Sequence, residues 1–333
     1  MSARANSSTA PVLAGRVPDF FIIGTLKTGT TSLHAMLKHH PQIFMPGLKE
    51  PQYLASDLLP RPGHEKKRRE RWYPKTLEDY LALFADAGPE QLVGEVTPTY
   101  LWSRTAAENI AEMQPDARLI AILREPAEFL RSLHISFLRG GNEAVRDLRK
   151  ALSLEDARRA GKRIPHSSHR PQLLQYSTHV RYVEQLRRYG ERFSQEQMLI
   201  LIYDDFRADN DATIRRVLRF LELDDDLQLA SERLNVSPEY VKIRRAHEMI
   251  DSLKTGRSPI VRKTRVTARA LTSARMRSAA RGGVERIARH RVPPGTDERL
   301  MEELRRRFKP EVEALSDYLG RDLVALWGYD DVH

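Results

Sequence analysis

Four short apolar runs set the strongest limit on how this chain can fold: FFIIG (20–24), QLVGE (91–95), RLIAILR (118–124) and MLILIY (198–203). Their apolar residues are nearly continuous rather than alternating, as expected of strands buried on both faces. Helical periodicity occupies the intervals, at 30–38, 76–86, 104–113, 126–139, 172–189 and 211–221. Strands separated by helices of this length predict an α/β fold, a central parallel sheet with helices on both faces. The closing stretch is again helical, with Leu300, Leu304, Phe308, Val312 and Leu315 on one side and an apolar anchor around Trp327. No internal repeat is evident. The simplest organisation is one domain over 18–330, preceded by a Ser-, Ala- and Pro-rich lead-in (1–17) that has little to bury and is expected to be disordered.

Charge narrows the class of partner. The 333 residues carry a formal net charge of +10 and a pI near 9.8, which favours an anionic ligand. Two segments concentrate the basic residues: 60–75, read as a surface loop, and 242–291, read as a basic flap. The chain has no cysteine, so disulfides, thiolate metal sites and cysteine nucleophiles are excluded. Neither a membrane-spanning run nor a hydrophobic signal core is visible, and a cytoplasmic protein is expected. The oligomeric state is left open, a homodimer included.

The first run leads into GTLKTGTTSL, a strand, a tight turn and a helix start. Gly24 and Gly29 bracket the turn, whose N–H groups can point inward, and Thr30 is expected to cap the helix with its hydroxyl. Lys27, Thr28, Thr30, Thr31 and Ser32 add side-chain donors, which makes the loop an anion cradle. It differs from the ATP-binding loop, which places lysine directly after the last glycine; here Thr30 holds that position and Lys27 precedes Gly29. The plain alternative is an αβ turn without a ligand.

A second anion site is suggested in AILREPAEFLRSL. Arg124 ends a strand, on the edge of an α/β sheet where ligands bind, and Ser132 follows eight residues later within a helix. A guanidinium fork there suits a phosphate. By spacing alone, a capping arginine and a surface serine are the better fit.

The loop resembles the 5′-phosphosulfate loop of the sulfotransferase superfamily, and REPAEFLRS resembles its 3′-phosphate motif, R-[DE]-P-x-x-[RF]-x-x-S. KEPQYL (49–54) and GEVTPTYL (94–101) are similar to two further segments of the glycan-type and bacterial members. The resemblance runs weakly over 18–330 and implies a P-loop-like sheet, the sulfotransferase fold, with 3′-phosphoadenosine 5′-phosphosulfate (PAPS) as co-substrate and no metal. Lys27 and Glu50 would be catalytic, Glu50 as base. Lys27, Thr28, Gly29, Thr30, Thr31, Ser32, Arg124 and Ser132 would hold the donor. A carboxylate beside Lys49 and a basic cradle is suited to remain ionised. The acceptor would be a small molecule, a lipid or a sugar. Val96 stands where glycan enzymes have lysine, which points toward a less charged acceptor. Tyr100 and Trp102 would line the acceptor pocket or belong to the core.

Three other readings carry less. A P-loop kinase or hydrolase lacks its lysine and its magnesium carboxylate. A nucleic-acid-binding protein would interleave aromatics with the arginines of 242–291, and none are there. Against a non-catalytic nucleotide binder, Lys27, Glu50, Arg124 and Ser132 are all intact. Among the histidines, His34, His39, His40 and His179 read as packing or surface residues, and His134 is kept as a reserve base.

Overall fold

The computed structural model describes residues 16–61, 73–225 and 297–332. Five strands among them form one parallel sheet: β1 (Phe20–Gly24), β2 (Ile43–Phe44), β3 (Leu92–Val96), β4 (Arg118–Leu123) and β5 (Met198–Ile202), in the order β2-β3-β1-β4-β5. The chain runs to one side of β1 for β2 and β3, then crosses to the other for β4 and β5. This puts a topological switch point at the C-terminal end of β1, where open α/β sheets bind ligands.

Both faces of the sheet are covered, as the continuous apolar runs require. Phe21, Ile23, Leu119, Ala121 and Leu123 join one buried cluster, while Phe20, Ile22, Ile120 and Ile122 join the other. The second face packs on α1 (Thr30–Leu37) and α9 (Asn210–Phe220), through Leu33, Leu37, Ile214, Val217 and Leu218. The first is covered by α3 (Ala106–Met113), α4 (Pro126–Gly140), α7 (Tyr182–Gly190) and α10 (Glu298–Leu319). On α10, Leu300, Leu304, Phe308, Val312 and Leu315 are all buried, as their spacing predicts.

Several boundaries differ from the sequence reading. Residues 172–189 do not form one helix. Short 3₁₀ turns at Pro171–Leu174 and Tyr176–Val180 precede α7, because Glu155 takes the Ser177 N–H (2.6 Å) and hydroxyl (2.7 Å). The 76–86 interval holds the short helix α2 (Leu77–Leu81) and a 3₁₀ turn at Ala82–Phe84, while α5 (Leu148–Ser153), α6 (Glu155–Arg159) and α8 (Tyr203–Ala208), like β2, are too brief for periodicity to define. The chain closes with α11 (Leu323–Trp327). Arg16, assigned to the disordered lead-in, instead donates to the carbonyls of Gly88 (2.5 Å) and Gln91 (2.7 Å). The rest of that lead-in, most of the 60–75 loop and the whole 242–291 segment lie outside the described residues. No helix among the described residues is long and apolar enough to cross a membrane.

Candidate active site

A cavity of about 930 Å³ opens at the switch point. Lys27, Gly29, Thr30, Thr31 and Ser32 line it from the β1–α1 turn, Glu50 and Gln52 from the segment after β2, and Arg124 and Ser132 from β4 and α4. Residues nearly a hundred positions apart thus face one space.

The turn is built on Gly29, whose φ of +86° makes it the left-handed N-cap of α1, with no side-chain cap. Thr30 is therefore the first helical residue and not the cap, correcting the sequence expectation. The leading N–H groups of α1 have no carbonyl within the helix and point to the cavity end, where the helix dipole adds positive potential. The Thr28 hydroxyl is buried and donates to the Thr25 carbonyl (2.7 Å), so this side chain braces the turn and is turned away from the cavity.

Lys27 is open to solvent, yet the protein packed about its side chain, followed by the charges of Arg139 and Arg124, holds its ammonium below the usual lysine range; Glu50 pulls the other way. Lys49 ties the β1–α1 turn to the segment after β2. Its ammonium donates to the Thr31 hydroxyl and lies 3.6 Å from Glu50 Oε1. The backbone of Glu50 is held by its N–H on the Val96 carbonyl (3.0 Å).

Arg124 leaves the end of β4 with its guanidinium 3.3 Å from the Lys27 carbonyl and 3.3 Å from Glu128. It lies 4.8 Å from the centre of the Tyr203 ring, a cation–π arrangement. The helix behind it starts at Pro126 and is capped by Glu125, whose carboxylate accepts from the N–H groups of Ala127 (3.0 Å) and Glu128 (2.6 Å). Ser132 and Ser136, one turn apart on α4, both face the cavity.

Tyr203, Gln52, Asn142, His169 and Arg170 also border the cavity and were missed from sequence. Tyr203 ends the run MLILIY, read from sequence as a strand, and instead opens α8. Its neighbours Asp204 and Asp205 hold Trp327 (3.0 Å) and Arg321 (2.5 and 2.8 Å), clamping the C-terminal helices to the sheet. The stretch SSHRP around Arg170 has no periodicity that could have marked it. Asn142 orders it by accepting from the Ser168 hydroxyl (2.8 Å).

Other expectations change. Tyr100 is fully buried, bonded to Glu95 and to the Leu54 N–H, so it is a core residue. Trp102 borders a different cavity. Val96 is buried among Phe20, Ile22 and Leu33, away from the cavity, so it says nothing about the acceptor's charge. His134 is not a base in reserve. Its Nε2 faces the Arg146 carbonyl (2.9 Å), its Nδ1 faces the Tyr176 hydroxyl (3.0 Å), and burial lowers its pKa. Burial likewise pushes His34 and His179 down to about 4, which keeps them neutral packing residues. Among the described residues, no group of three or more His, Cys, Asp or Glu could hold a metal ion.

Residues 18–226 match the sulfotransferase family. The chain is 37% identical to the membrane-associated sulfotransferase kil1 of Dictyostelium discoideum over 112 residues, 34% of this chain and 21% of that protein. It is 28% identical to carbohydrate sulfotransferase 15 of Mus musculus over 253 residues, covering 62% and 44% respectively. The chain thus spans less than half the length of either relative. A solved sulfotransferase from Alicyclobacillus acidocaldarius superposes with a TM-score of 0.65 at 23% identity, over 93% of this chain and 98% of that one.

Proposed function

The chain belongs to the sulfotransferase family, and from that premise we propose that it moves a sulfonate group from PAPS to a hydroxyl, or amine, of an acceptor. The observation that carries this reading is the single cavity faced by Lys27, the N-terminus of α1, Glu50, Arg124 and Ser132. Its volume is in the range of small-molecule and nucleotide sites. The donor's two anionic ends match the two ends of this lining. The helix N-terminus with the hydroxyls of Thr30, Thr31 and Ser32 suits a 5′-phosphosulfate, and Arg124 with Ser132 suits a 3′-phosphate.

In the transfer, the acceptor oxygen forms a bond to sulfur as the bond from sulfur to the bridging phosphate oxygen breaks. Glu50 takes the acceptor's proton, and Lys49 beside it fixes where the carboxylate sits. Negative charge grows on the departing phosphate oxygen. Lys27 and the free N–H groups of α1 are fixed donors aimed at that region, so little reorganisation is needed when the charge appears. Positioning and electrostatics would supply most of the rate, as in phosphoryl transfer.

A sugar acceptor is favoured by the carbohydrate sulfotransferase among the relatives, while a lipid or another small molecule fits the same chemistry. Titration calorimetry with adenosine 3′,5′-bisphosphate in the absence of metal tests the donor site. Micromolar binding that depends on the 3′-phosphate is expected. Tighter, magnesium-dependent binding of ATP would overturn PAPS as the donor.

A further inference from the structure

The match to the family ends at residue 226, and α10 and α11 lie wholly beyond it. Two glycines set how this C-terminal pair of helices ends. Gly320 (φ +60°) closes α10 and Gly328 (φ +69°) closes α11, each in the left-handed conformation that turns the chain back on its helix. The residue after each glycine returns its N–H to that helix, Arg321 to the Ser316 carbonyl (3.0 Å) and Tyr329 to the Val324 carbonyl (2.8 Å). The two turns thereby fix two polar side chains. One reaches the residue that follows Arg124, and the other reaches the helix that carries Tyr203.

The first arm runs through α4. Tyr329 is fully buried and donates its hydroxyl to Glu125 Oε1. That carboxylate is also the N-cap of α4, taking the N–H groups of Ala127 and Glu128, so Tyr329 holds the cap that starts the helix. From α4, Glu128 accepts from the Arg124 guanidinium (3.3 Å) and Ser132 faces the cavity. The second arm runs through α8. Arg321 pairs at two points with Asp205 (2.5 and 2.8 Å), and Trp327 Nε1 donates to Asp204 (3.0 Å). Tyr203, the residue before Asp204, places its ring 4.8 Å from the Arg124 guanidinium carbon. Arg124 is therefore held on two sides by groups that the C-terminal pair anchors, although Arg321, Trp327 and Tyr329 do not line the cavity.

We propose that α10 and α11 form a clamp that presets Arg124 for the 3′-phosphate of the donor, with Tyr329 and Trp327 as positioning residues that never touch the nucleotide. The inference rests on the donor site proposed above. A guanidinium fork meets a phosphate through paired N–H groups only when its plane is correctly turned. A long side chain ordered in advance also loses less rotamer freedom when the ligand arrives. Glu128 and the Tyr203 ring supply that order, and the clamp fixes where each of them sits.

The test is a double-mutant cycle on the full chain, read by titration calorimetry with adenosine 3′,5′-bisphosphate and with adenosine 5′-phosphate. Tyr329→Phe, alone and together with Trp327→Phe, is measured with Arg124 present and in Arg124→Ala. The phenylalanine keeps the buried ring and removes only the hydroxyl, while Glu125 retains its two main-chain donors, so the fold is kept. With Arg124 present, affinity for the bisphosphate should fall about threefold to tenfold in Tyr329→Phe, the size of one hydrogen bond, and further in the double phenylalanine variant. Affinity for adenosine 5′-phosphate should barely move. In Arg124→Ala, Tyr329→Phe should cost nothing more, because residues that act through one another are not additive. Equal losses for both nucleotides would make Tyr329 a structural residue only and overturn the proposal. So would a loss that persists undiminished in Arg124→Ala, or an unchanged bisphosphate affinity in the double phenylalanine variant. Wild-type protein that binds both nucleotides equally would overturn the donor site itself, and the clamp with it, before any variant is measured.

Discussion

The guanidinium of Arg124 is 3.3 Å from the main-chain carbonyl of Lys27, so the arginine of one anion motif holds the backbone of the other. The contact spans 97 positions of sequence and joins the ends of β4 and β1. Arg124 thus braces the lysine turn, and in the function proposed above it is also a ligand for the 3′-phosphate. In Arg124→Ala, affinity for adenosine 3′,5′-bisphosphate should fall about 10- to 100-fold, the worth of a charged hydrogen bond of ~1.5–3 kcal/mol. Affinity for adenosine 5′-phosphate should change far less. Calorimetry on both nucleotides checks this, and an unaltered ratio between them would remove Arg124 from the 3′-phosphate.

In the proposed transfer, the leaving group's charge develops beside Lys27. Lys27→Ala should lower kcat by about 10²–10³, the ~3–4 kcal/mol typical of one lost oxyanion donor. Because burial and Arg139 and Arg124 lower the pKa of Lys27, the wild-type rate should fall with rising pH before an ordinary lysine would lose its proton. A folded Lys27→Ala variant with a normal single-turnover rate would place the electrophilic assistance elsewhere.

In the proposed transfer, Glu50 differs from Lys27 in touching the acceptor's proton and not the nucleotide. Glu50→Gln keeps the shape and the neighbouring Lys49 contact geometry but cannot accept a proton. The rate should drop by about 10²–10⁴, the range for general-base loss, with nucleotide affinity unchanged. Stopped-flow transfer together with nucleotide binding separates the two, and parallel loss of both would mean Glu50 is structural.

Much of this was legible because it follows from local pattern. Continuous apolar runs give strands such as FFIIG and MLILIY, and the spacing on α10 gives its buried face. The strand, turn and helix start that line the cavity could be read from a glycine, a lysine and hydroxyls confined to eight residues. Arg170 and Tyr203 could not, since only the fold brings them beside Arg124 and Ser132. Thr30 was misread as a cap because sequence does not reveal that Gly29 adopts a left-handed conformation and takes that place. His134 was overvalued because its two hydrogen bonds to Tyr176 and Arg146 are tertiary.

Gly29 should resist substitution on two counts. Its φ of +86° strains any residue with a Cβ, and that Cβ would lie 2.8 Å from Cε1 of Phe206, a fully packed ring. Gly29→Ala should cost about 1–3 kcal/mol of stability and weaken nucleotide binding. Urea unfolding measures the first effect. Gly47→Ala, where a Cβ meets nothing within 4 Å, is the control, and equal effects from the two would mean that the turn adapts.

Glu95 lies beneath the site with no exposure to solvent. Its carboxyl accepts from Tyr80 (2.5 Å), Tyr100 (3.1 Å) and Thr97 (2.6 Å). Thr97 in turn receives the N–H of Gln52 (3.4 Å), on the cavity wall. Burial raises the Glu95 pKa from 4.5 to about 7, outweighing the three hydrogen bonds that lower it. The folded protein therefore binds this proton more tightly than the unfolded chain. The resulting stabilisation is complete below pH 4.5 and is lost as pH rises through about 7. At ~1.4 kcal/mol per pH unit the difference amounts to about 3 kcal/mol. Glu95→Gln removes the titration, so the stability of wild type relative to this variant should decline by about that amount between pH 4.5 and 8, measured by urea unfolding. Parallel curves would mean that the three donors keep the buried carboxylate ionised throughout, with Tyr80, Tyr100 and Thr97 outweighing its desolvation.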